Sequence, residues 1–563
     1  IGGVINIISQ DVPTGDDGIS GDVMYRYGSA GTVNAPSGNV SAKIGRFAVR
    51  VGASYRDSEP YRAPAGTFGK ITLAENELVH DSGIRDRSYD LFSSFDLSTS
   101  GRIYARAGWY SADDAGFGFI DPARLGPGQP RIQILYPDQS FARYSIGYKS
   151  SAVPSFLAHR IDISGYTQRN ERHLDNLILI PAGPGATIDT RTWNFTDLST
   201  VGARLELARP LGQAATLTYG ADAFRDRSDN TDSSRTVITG FGPPITRTSN
   251  TPQVPNATFS SAGIFGQLEA RPLDRLSTIF GARYQTVSAK TRATNGLDRA
   301  AQDDQDHTLV WSANGLFRVT GNANVVMSFG RGFRAANLVE RFFEGLAPEG
   351  NGFQRANPQL KAETSFNSDL GTRYRAGPVS VEGFVFRNDL SNAIRARATG
   401  DSVNGRPAFQ NRNIDRLRMQ GIELSAGVRT TTGIDATASF TRLNATNISD
   451  KDSPVGDSYS SKVISDIGYR APSGRFTAGY TVRYQGEQNE VIVGTNPIGP
   501  VIPAFVVHSA RASVVVLRAG DVVNELALRI ENLGNRLYAE FPNASFFRPE
   551  PGRNVNLALQ IHF

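Results

Sequence analysis

Strands with one apolar face and one charged face recur along the whole chain, and this pattern limits the possible folds more than any other feature. Segments 89–97 (YDLFSSFDL), 201–207 (VGARLEL) and 526–531 (LALRIE) show it clearly. Successive side chains of a strand point to opposite faces. Each segment therefore predicts a strand with one apolar face and one polar face.

The charges on the polar face indicate whether the apolar face contacts a protein core or lipid. In a soluble sandwich all the apolar faces would meet in one core, and a chain of 563 residues has far too many such strands for one core. If the apolar faces contact lipid and the charged faces line a lumen, every strand is accommodated. The basic residues are mostly Arg, 52 of 59. This composition favours Arg–carboxylate pairs across the lumen, with a GC-rich genome as the alternative explanation.

Connections between the predicted strands alternate in length. The long ones span residues 57–87, 111–141, 170–197, 227–255, 331–362 and 390–411, and the turns between them are short. A meander with short periplasmic turns and long extracellular loops is the layout of an outer-membrane barrel. No apolar segment approaches the ~20 residues that a transmembrane helix needs. The sequence therefore predicts an all-β fold, a large antiparallel transmembrane β-barrel of about 22 strands.

The last strand is expected to close the barrel. In RNVNLALQIHF (residues 553–563) every second residue is apolar, namely Val555, Leu557, Leu559, Ile561 and Phe563. The segment resembles the C-terminal strand of bacterial outer-membrane barrels, in which the final Phe belongs to the signal read by the barrel assembly machinery. This resemblance implies outer-membrane lipid and that machinery as partners.

Five segments, taken in order, resemble TonB-dependent outer-membrane receptors. They are IGGVINIIS (1–9), GRGFRAANLVERFFEG (330–345), NPQLKAETSFNSDLGTRY (357–374), NRNIDRLRMQGIELSAG (411–427) and LRIENLGNRLYAEFPN (528–543). The first is similar to the last strand of that family's plug domain. By this resemblance residues 1–10 are the last plug strand, with the rest of the plug and its TonB box absent, and residues 11–563 are the barrel.

The resemblance implies active uptake of a scarce nutrient across the bacterial outer membrane. The inner-membrane TonB complex would supply the energy by acting on the plug segment. A ferric siderophore is the favoured ligand class, and cobalamin, haem and glycans are the alternatives within the family. Outside the family the alternative is a passive porin, which usually lacks a plug strand like IGGVINI and has a smaller barrel.

Other classes of function find little support in the sequence. The chain has no Cys, and its six His residues lack metal-ligand spacing, so neither a metal site nor a covalently bound cofactor is predicted. The acidic group at residues 303–306 suits either Ca²⁺ or a solvated loop. No nucleophile or phosphate-binding motif occurs in a suitable context, so the chain is not expected to be an enzyme. A net charge of +5, with 59 basic against 54 acidic residues, gives no reason to expect nucleic acid.

Arginine and aromatic residues occur together in the predicted long loops. Such a vestibule would hold an anionic, partly planar ligand such as a ferric chelate by charge and cation–π contacts. The alternative is that these residues pack loops together or form an aromatic girdle at the membrane interface. The candidate ligand-binding residues are Arg131, Tyr136, Arg191, Trp193, Arg341, Phe342, Phe343 and Arg355.

Overall fold

The structure, a computed structural model, describes most of the chain. The described residues are 12–13, 16–153, 155–298, 301–347, 352–403, 405–451, 455, 458–489, 497–540 and 547–563, with the backbone alone for residue 415. The predicted plug strand at residues 1–10 lies outside these ranges. Among the described residues, neither helix has the length or the apolar run needed to cross a membrane.

Strands make up nearly all of the regular structure. The first part contains β1 (Gly18–Gly28), β2 (Val33–Ile44), β3 (Phe47–Ser58), β4 (Arg62–Ala63), β5 (Gly66–Phe68), β6 (Ile71–Leu73), β7 (Glu77–Leu78), β8 (Ile84–Asp96), β9 (Gly101–Gly116), α1 (Pro122–Leu125), β10 (Arg131–Ser150), β11 (Arg160–Gly183) and β12 (Ala186–Leu211). The middle part contains β13 (Ala215–Thr239), β14 (Ile245–Ser249), β15 (Ala257–Leu273), β16 (Leu276–Thr291), β17 (Asp303–Arg318), β18 (Ala323–Arg334), α2 (Leu338–Phe342), β19 (Gly345–Leu346), β20 (Phe353–Arg355) and β21 (Glu363–Ala376). The last part contains β22 (Val379–Val403), β23 (Arg406–Arg429), β24 (Ile434–Asn447), β25 (Ser461–Arg470), β26 (Phe476–Gln485), β27 (Phe505–Ala519), β28 (Val522–Glu531) and β29 (Asn554–His562).

Twenty-two of these strands form one closed antiparallel barrel, which confirms the predicted fold class and strand count. They are β1–β3, β8–β13, β15–β18 and β21–β29. Strand β29 pairs with both β28 and β1. The seam is completed by Gly21 and Phe563, whose backbone N–H groups donate to each other's carbonyls at 2.8 and 3.0 Å. Closure leaves no unpaired sheet edge in the membrane.

Side chains alternate between the two faces of the wall as the sequence pattern predicts. In β29, Leu557 and Leu559 are exposed on the outer face, and Leu559 stands opposite Tyr25 of β1, which is exposed too. The inner face carries charges that pair across strands. The guanidinium of Arg283 bonds both carboxylate oxygens of Asp222 at 2.6 and 2.8 Å. Such a two-pronged pair across a lumen is the arrangement that the Arg-rich composition favours.

Several predicted long loops are in fact strands that continue past the membrane. Strands β11, β12 and β13 are 24, 26 and 25 residues long, and they occupy much of the predicted loops at 170–197 and 227–255. The backbone ladder runs on beyond the alternating segments, and one face of it is buried, for example at Asn176, Thr192 and Asn230. The regular apolar alternation that marks a membrane strand is absent there, so the sequence pattern predicted the ends of these strands too early.

The remaining long loops pack together at the extracellular end. A buried apolar cluster joins the loops after β3, β9, β26 and β28 to the wall strand β27. Its main members are Phe68, Ile71, Leu73, Val79, Ile120, Ile498, Ile502, Phe505, Leu537, Tyr538 and Phe547. The loops on this side of the mouth are therefore held by a core of their own.

Candidate functional site

The loop between β18 and β21 is anchored to the inner face of the barrel mouth by one arginine. Arg341 of α2 is 1% exposed, and its guanidinium pairs with Asp304 and, at 2.7 Å, with Asp306 of β17. It also donates to the carbonyls of Ala336 (3.2 Å) and Pro358 (2.9 Å). Burial raises the pKa of the Asp306 carboxyl, and the Arg341 charge opposes that shift. Arg341 therefore fastens the loop to the wall.

A second ion pair fixes both ends of the same loop. Arg334, the last residue of β18, donates to Glu363 at 2.5 Å and to Glu340 of α2 at 2.8 Å. Glu363 also accepts the backbone N–H of Ile394 at 2.7 Å. Burial by itself would raise the pKa of the Glu363 carboxyl, but Arg334 and the Ile394 N–H together lower it below its usual value. The pair is therefore an ionised link at neutral pH.

The acidic group at residues 303–306 is used for ion pairs. Asp304 and Asp306 face inward to Arg341, and Asp303 bonds Lys290 at 2.6 Å on the outer face. Across the described residues, three or more potential metal-ligating side chains do not come together anywhere.

The predicted ligand residues in this loop differ in their surroundings. Arg341 and Phe342 are each 1% exposed, so both side chains are packed inside the loop, and their contact with a ligand stays a prediction. Phe343 follows α2 and is half-buried. Arg355 in β20 lies 3.8 Å from the Asp401 carboxylate, and its Nε atom is buried without a hydrogen-bond partner among the described residues.

Three other predicted residues do come together, but they face away from the lumen. Arg131, Arg191 and Trp193 line a cavity of about 320 Å³ together with Gln133 and Asp175, here called the outer pocket. Asp175 stands directly opposite Trp193 in an unbroken antiparallel register. That register places the pocket on the same face as the lipid-exposed residues of β11 and β12. Strand alternation therefore places these three residues on the outer face of the extended strands, and whether they contact a ligand stays a prediction.

The fourth residue of that group, Tyr136, lies beside a local irregularity. The register between β10 and β11 shifts by one residue between Leu135 and Gln139. The Tyr136 ring is 6.5 Å from the ring of Phe117, so it contributes to packing of the β9–β10 hairpin. Whether it contacts a ligand stays a prediction.

A basic cluster, of which only Arg355 was predicted, lies at the extracellular end of the β22–β23 hairpin. Four of its residues are on the hairpin, and Arg355 joins them because β20 pairs in parallel with β23. Arg395 and Arg412 are exposed and directly opposite each other. The constant register of β22 and β23 puts them on the same face as Val385 and Leu424, which are exposed on the outer side of the wall. Burial lowers the pKa of the Arg406 guanidinium. This cluster, called the basic hairpin, comprises Arg355, Arg395, Arg397, Arg406 and Arg412.

A signal for the basic hairpin was present in the sequence. Residues 393–413 contain four Arg and a single acidic residue, Asp401. The overall balance of basic and acidic residues hides this local excess, because ion pairs elsewhere dominate the count. A scan of net charge hairpin by hairpin would have found it.

A closed antiparallel barrel with lipid-facing apolar side chains, a charged lumen and large loops at one rim defines a large outer-membrane β-barrel. The family model described as "TonB dependent receptor-like, beta-barrel" matches residues 75–533. The chain belongs to this family. It is an outer-membrane protein.

Similar proteins are receptors and transporters. The ferrienterobactin receptor of Escherichia coli is 26% identical over 231 residues, 38% of this chain and 28% of that protein. The hemoglobin-haptoglobin utilization protein B of Neisseria meningitidis is 26% identical over 235 residues, 36% of this chain and 29% of that protein. The matched region thus spans less than a third of either relative.

Solved structures share the fold. The copper transporter OprC has a TM-score of 0.74 at 17% identity, over 98% of this chain and 82% of that chain. The FrpB iron transporter from Neisseria meningitidis has a TM-score of 0.71 at 16% identity, over 97% of this chain and 82% of that chain.

Proposed function

We propose that this barrel belongs to an energised receptor that takes up an anionic ferric chelate, a siderophore, from outside the cell. Family membership supports the receptor part of the proposal. Several relatives and structural neighbours are named for iron or siderophores, including the ferrienterobactin receptor and the FrpB iron transporter. The choice of an anionic ferric chelate as the ligand rests on the basic hairpin.

Three arginines of the basic hairpin, Arg395, Arg406 and Arg412, have no ion pair with a carboxylate among the described residues. Arg395 faces Arg412 across the ladder, and like charges in directly opposed positions destabilise a sheet. The carboxylate of Asp401 is 3.8 Å from Arg355 and largely exposed. Arg406 is half-buried, which makes its charge costly without a counter-ion. A polyanionic ligand would relieve all of these costs together.

An aromatic ring accompanies the charges. Phe353 is half-buried where β20 runs beside β23, two residues from Arg355 and on the same face of β20. A ferric chelate with flat, negatively charged groups would find a ring and guanidinium groups together. Cobalamin and neutral glycans would leave the positive charges unpaired.

The remaining steps of uptake follow from the family. The captured chelate would pass to the periplasm when the TonB complex acts on the plug segment, whose last strand we assign to residues 1–10. The chelate is the transported substrate rather than a cofactor. Folding into the membrane would depend on the barrel assembly machinery, which would read the last strand ending in Phe563.

The experiment measures iron supply through the full-length receptor in cells that lack their own copy. Growth under iron limitation is scored with single purified ferric siderophores, haem or no supplement, and cobalamin uptake is followed separately. The test variant carries Arg395→Gln and Arg412→Gln. The matched control is Arg429→Gln, because this side chain is 83% exposed and lies at the opposite rim in a pair with Asp435.

We expect at least a tenfold weaker apparent affinity for an anionic ferric siderophore in the hairpin variant and no change in the control. If iron limitation has no effect on expression and no ferric chelate binds the intact receptor, the siderophore proposal fails. Uptake of cobalamin or haem instead would show that the receptor takes up that class of ligand.

A further inference from the structure

Three positively charged side chains descend the lumen along the inner face of β10 and β11. In β10, Tyr144 and Ile146 are 46% and 63% exposed on the outer face, so Arg143 and Lys149 point into the lumen. Arg172 of β11 lies on the same inner face, because it stands opposite Gln139 of β10. Arg172, Arg143 and Lys149 together are here called the cationic stripe.

The cationic stripe spans most of the height of the membrane. Gln139, opposite Arg172, lies four residues from Arg143, and Arg143 lies six residues from Lys149. These ten residues measure about 33 Å of strand at ~3.3 Å per residue. With a strand tilt of about 40° this is about 25 Å along the barrel axis, close to the ~25 Å height of the apolar band. Lys149 is next to the last residue of β10, so the stripe ends at the short-turn rim.

Two of the three cations lack a counter-charge. Arg143 and Arg172 are exposed to the lumen, and neither forms an ion pair with a carboxylate among the described residues. The guanidinium of Arg143 lies 4.6 Å from the centre of the Tyr166 ring. Lys149 is 3.6 Å from the Asp162 carboxylate and is 46% exposed. Cations in this state favour an anion that enters the lumen.

Aromatic rings beside the cationic stripe lie flat against the wall. A Cβ atom at Gly147 would collide with the ring of Tyr104, and one at Gly202 would collide with the ring of Tyr166. Each ring therefore rests on the backbone of the neighbouring strand and projects little into the lumen. The ammonium of Lys149 lies 5.1 Å from the centre of the Tyr104 ring. Such rings leave room for a ligand and offer it a flat face.

The far side of the lumen treats an anion differently. Strand β21 lies eight strands from β10 around the barrel. Leu370 of β21 is 48% exposed on the outer face, so Asp369 points into the lumen, and its carboxylate has no ion pair among the described residues. Arg373 on the same inner face is paired with Glu382 at 3.5 Å. An anion in the lumen is therefore attracted to the side of β10 and β11.

The chain itself covers the lower end of the cationic stripe. Val12 is 3% exposed and packs against Ala48, Phe92 and Tyr104. Tyr104 is the ring that lies beside Lys149. Val12 follows closely after the segment that we assign to the plug, so a pull on that segment would act on this contact and uncover Lys149.

We infer that the cationic stripe is the path by which the captured chelate crosses the lumen. Its negative charges pass from Arg172 to Arg143 and then to Lys149, while its flat groups meet the rings of Tyr166 and Tyr104. Passage requires binding that is strong enough for entry and divided among several sites so that the ligand can leave. This path rests on the proposed function and extends it from capture to passage.

The test separates binding from passage in cells that carry the full-length receptor. The probe is a ferric tris-catecholate siderophore labelled with radioactive iron. Binding is measured on de-energised cells, and the rate of energised uptake is measured over a range of probe concentrations. One variant carries Arg143→Gln with Arg172→Gln, and a second keeps the charge with Arg143→Lys and Arg172→Lys. The matched control, Arg373→Gln with Arg375→Gln, removes two guanidinium groups from the inner face of β21.

We expect the Gln variant of the cationic stripe to bind the probe with wild-type affinity and to lose at least tenfold in maximal uptake rate. The Lys variant should lose only a few-fold, because the charge is kept and the fork is lost. The β21 control should match the wild type. An unchanged maximal rate in the Gln variant, or an equal loss in the β21 control, would overturn the path.

Conductance of the full-length receptor in a planar bilayer tests the competing role of these residues. The Gln variant should stay as closed as the wild type. An open conductance in that variant would show that the cationic stripe holds the plug in place, and the path would be wrong.

The basic hairpin variant distinguishes this path from the proposed function. Arg395→Gln with Arg412→Gln should weaken binding and leave the maximal uptake rate unchanged. If this variant binds normally while the Gln variant of the cationic stripe loses rate, the capture site is wrong and the path stands. If it binds weakly while the Gln variant of the cationic stripe keeps its rate, the path is wrong and the capture site stands.

Discussion

Replacing Arg341 with Ala should release the β18–β21 loop from the barrel wall. The substitution removes the only guanidinium that the structure gives to Asp304 and Asp306 among the described residues, together with the donors to Ala336 and Pro358. Two inward-facing carboxylates would then repel each other without a cation between them.

The size of the effect follows from the burial of the partners. Removing one member of a fully buried ion pair costs about 3–5 kcal/mol. The side chains of Asp304 and Asp306 are 37% and 21% exposed, so water can rehydrate them in part, and we expect the lower limit of about 3 kcal/mol. A difference of ~1.4 kcal/mol is tenfold in an equilibrium constant. The loop should therefore open more than ~100-fold more often.

Amide hydrogen exchange on the full-length receptor in nanodiscs measures this opening directly. The reporters are the α2 amides of Arg341 and Phe343, which donate to Asn337 and Val339 at 3.1 and 3.0 Å. Asp303→Asn is the matched control, because Asp303 lies on the same strand but pairs with Lys290 on the exposed outer face. Exposed pairs contribute about 0–1 kcal/mol. Unchanged protection in Arg341→Ala, or an equal loss in Asp303→Asn, would refute the anchor.

Three further predictions test the wall, the second anchor and the lumen. Arg at Leu559, on the lipid face near the middle of β29, should cost about 2–4 kcal/mol in lipid refolding, whereas Arg at Gln560, facing the lumen, should cost little; equal costs would invert the assignment of faces. The pKa of Glu363 is lowered in the folded state, so its stabilising link to Arg334 is present above the ordinary value of 4.5 and is lost as the pH falls through the lowered pKa. Exchange of the Ile394 amide, corrected for intrinsic rate, should accelerate in that acidic range in the wild type and lose this pH dependence in Glu363→Gln; a flat wild-type profile would exclude the link. About 22 strands enclose a lumen too wide for side chains to fill, so residues 1–563 alone in a planar bilayer should give larger currents than the same chain supplied with a plug; equal currents would mean that the loops close the lumen.

The barrel itself was predictable because one physical constraint repeats in every strand. Lipid on one side and water on the other impose a period of two, and the segments at 89–97 and 526–531 display it without help from distant contacts. The strand extensions at 170–183 and 227–239 were not predictable in this way. In these extensions the buried face carries polar residues such as Asn176 and Asn230, so the ladder shows no regular apolar period.

The candidate site was only partly predictable, because its arrangement depends on register and tertiary contacts. Grouping Arg131, Arg191 and Trp193 was possible from composition, and the three do share a cavity. Their common face depends on the register of β10–β12, which fixes it as the outer one. The burial of Arg341 depends on acidic residues of β17, more than thirty positions away in the chain. No local pattern contains that contact.

The central claim is energised uptake of an anionic ferric chelate, and accumulation of radiolabelled iron tests it most directly. Cells carrying the full-length receptor are given a single ferric siderophore, with and without a functional TonB complex. The account predicts accumulation that requires the receptor and TonB and that falls at least tenfold in apparent affinity when Arg395 and Arg412 are replaced by Gln. Equal accumulation without TonB would contradict energised transport, and full affinity in the hairpin variant would contradict the site.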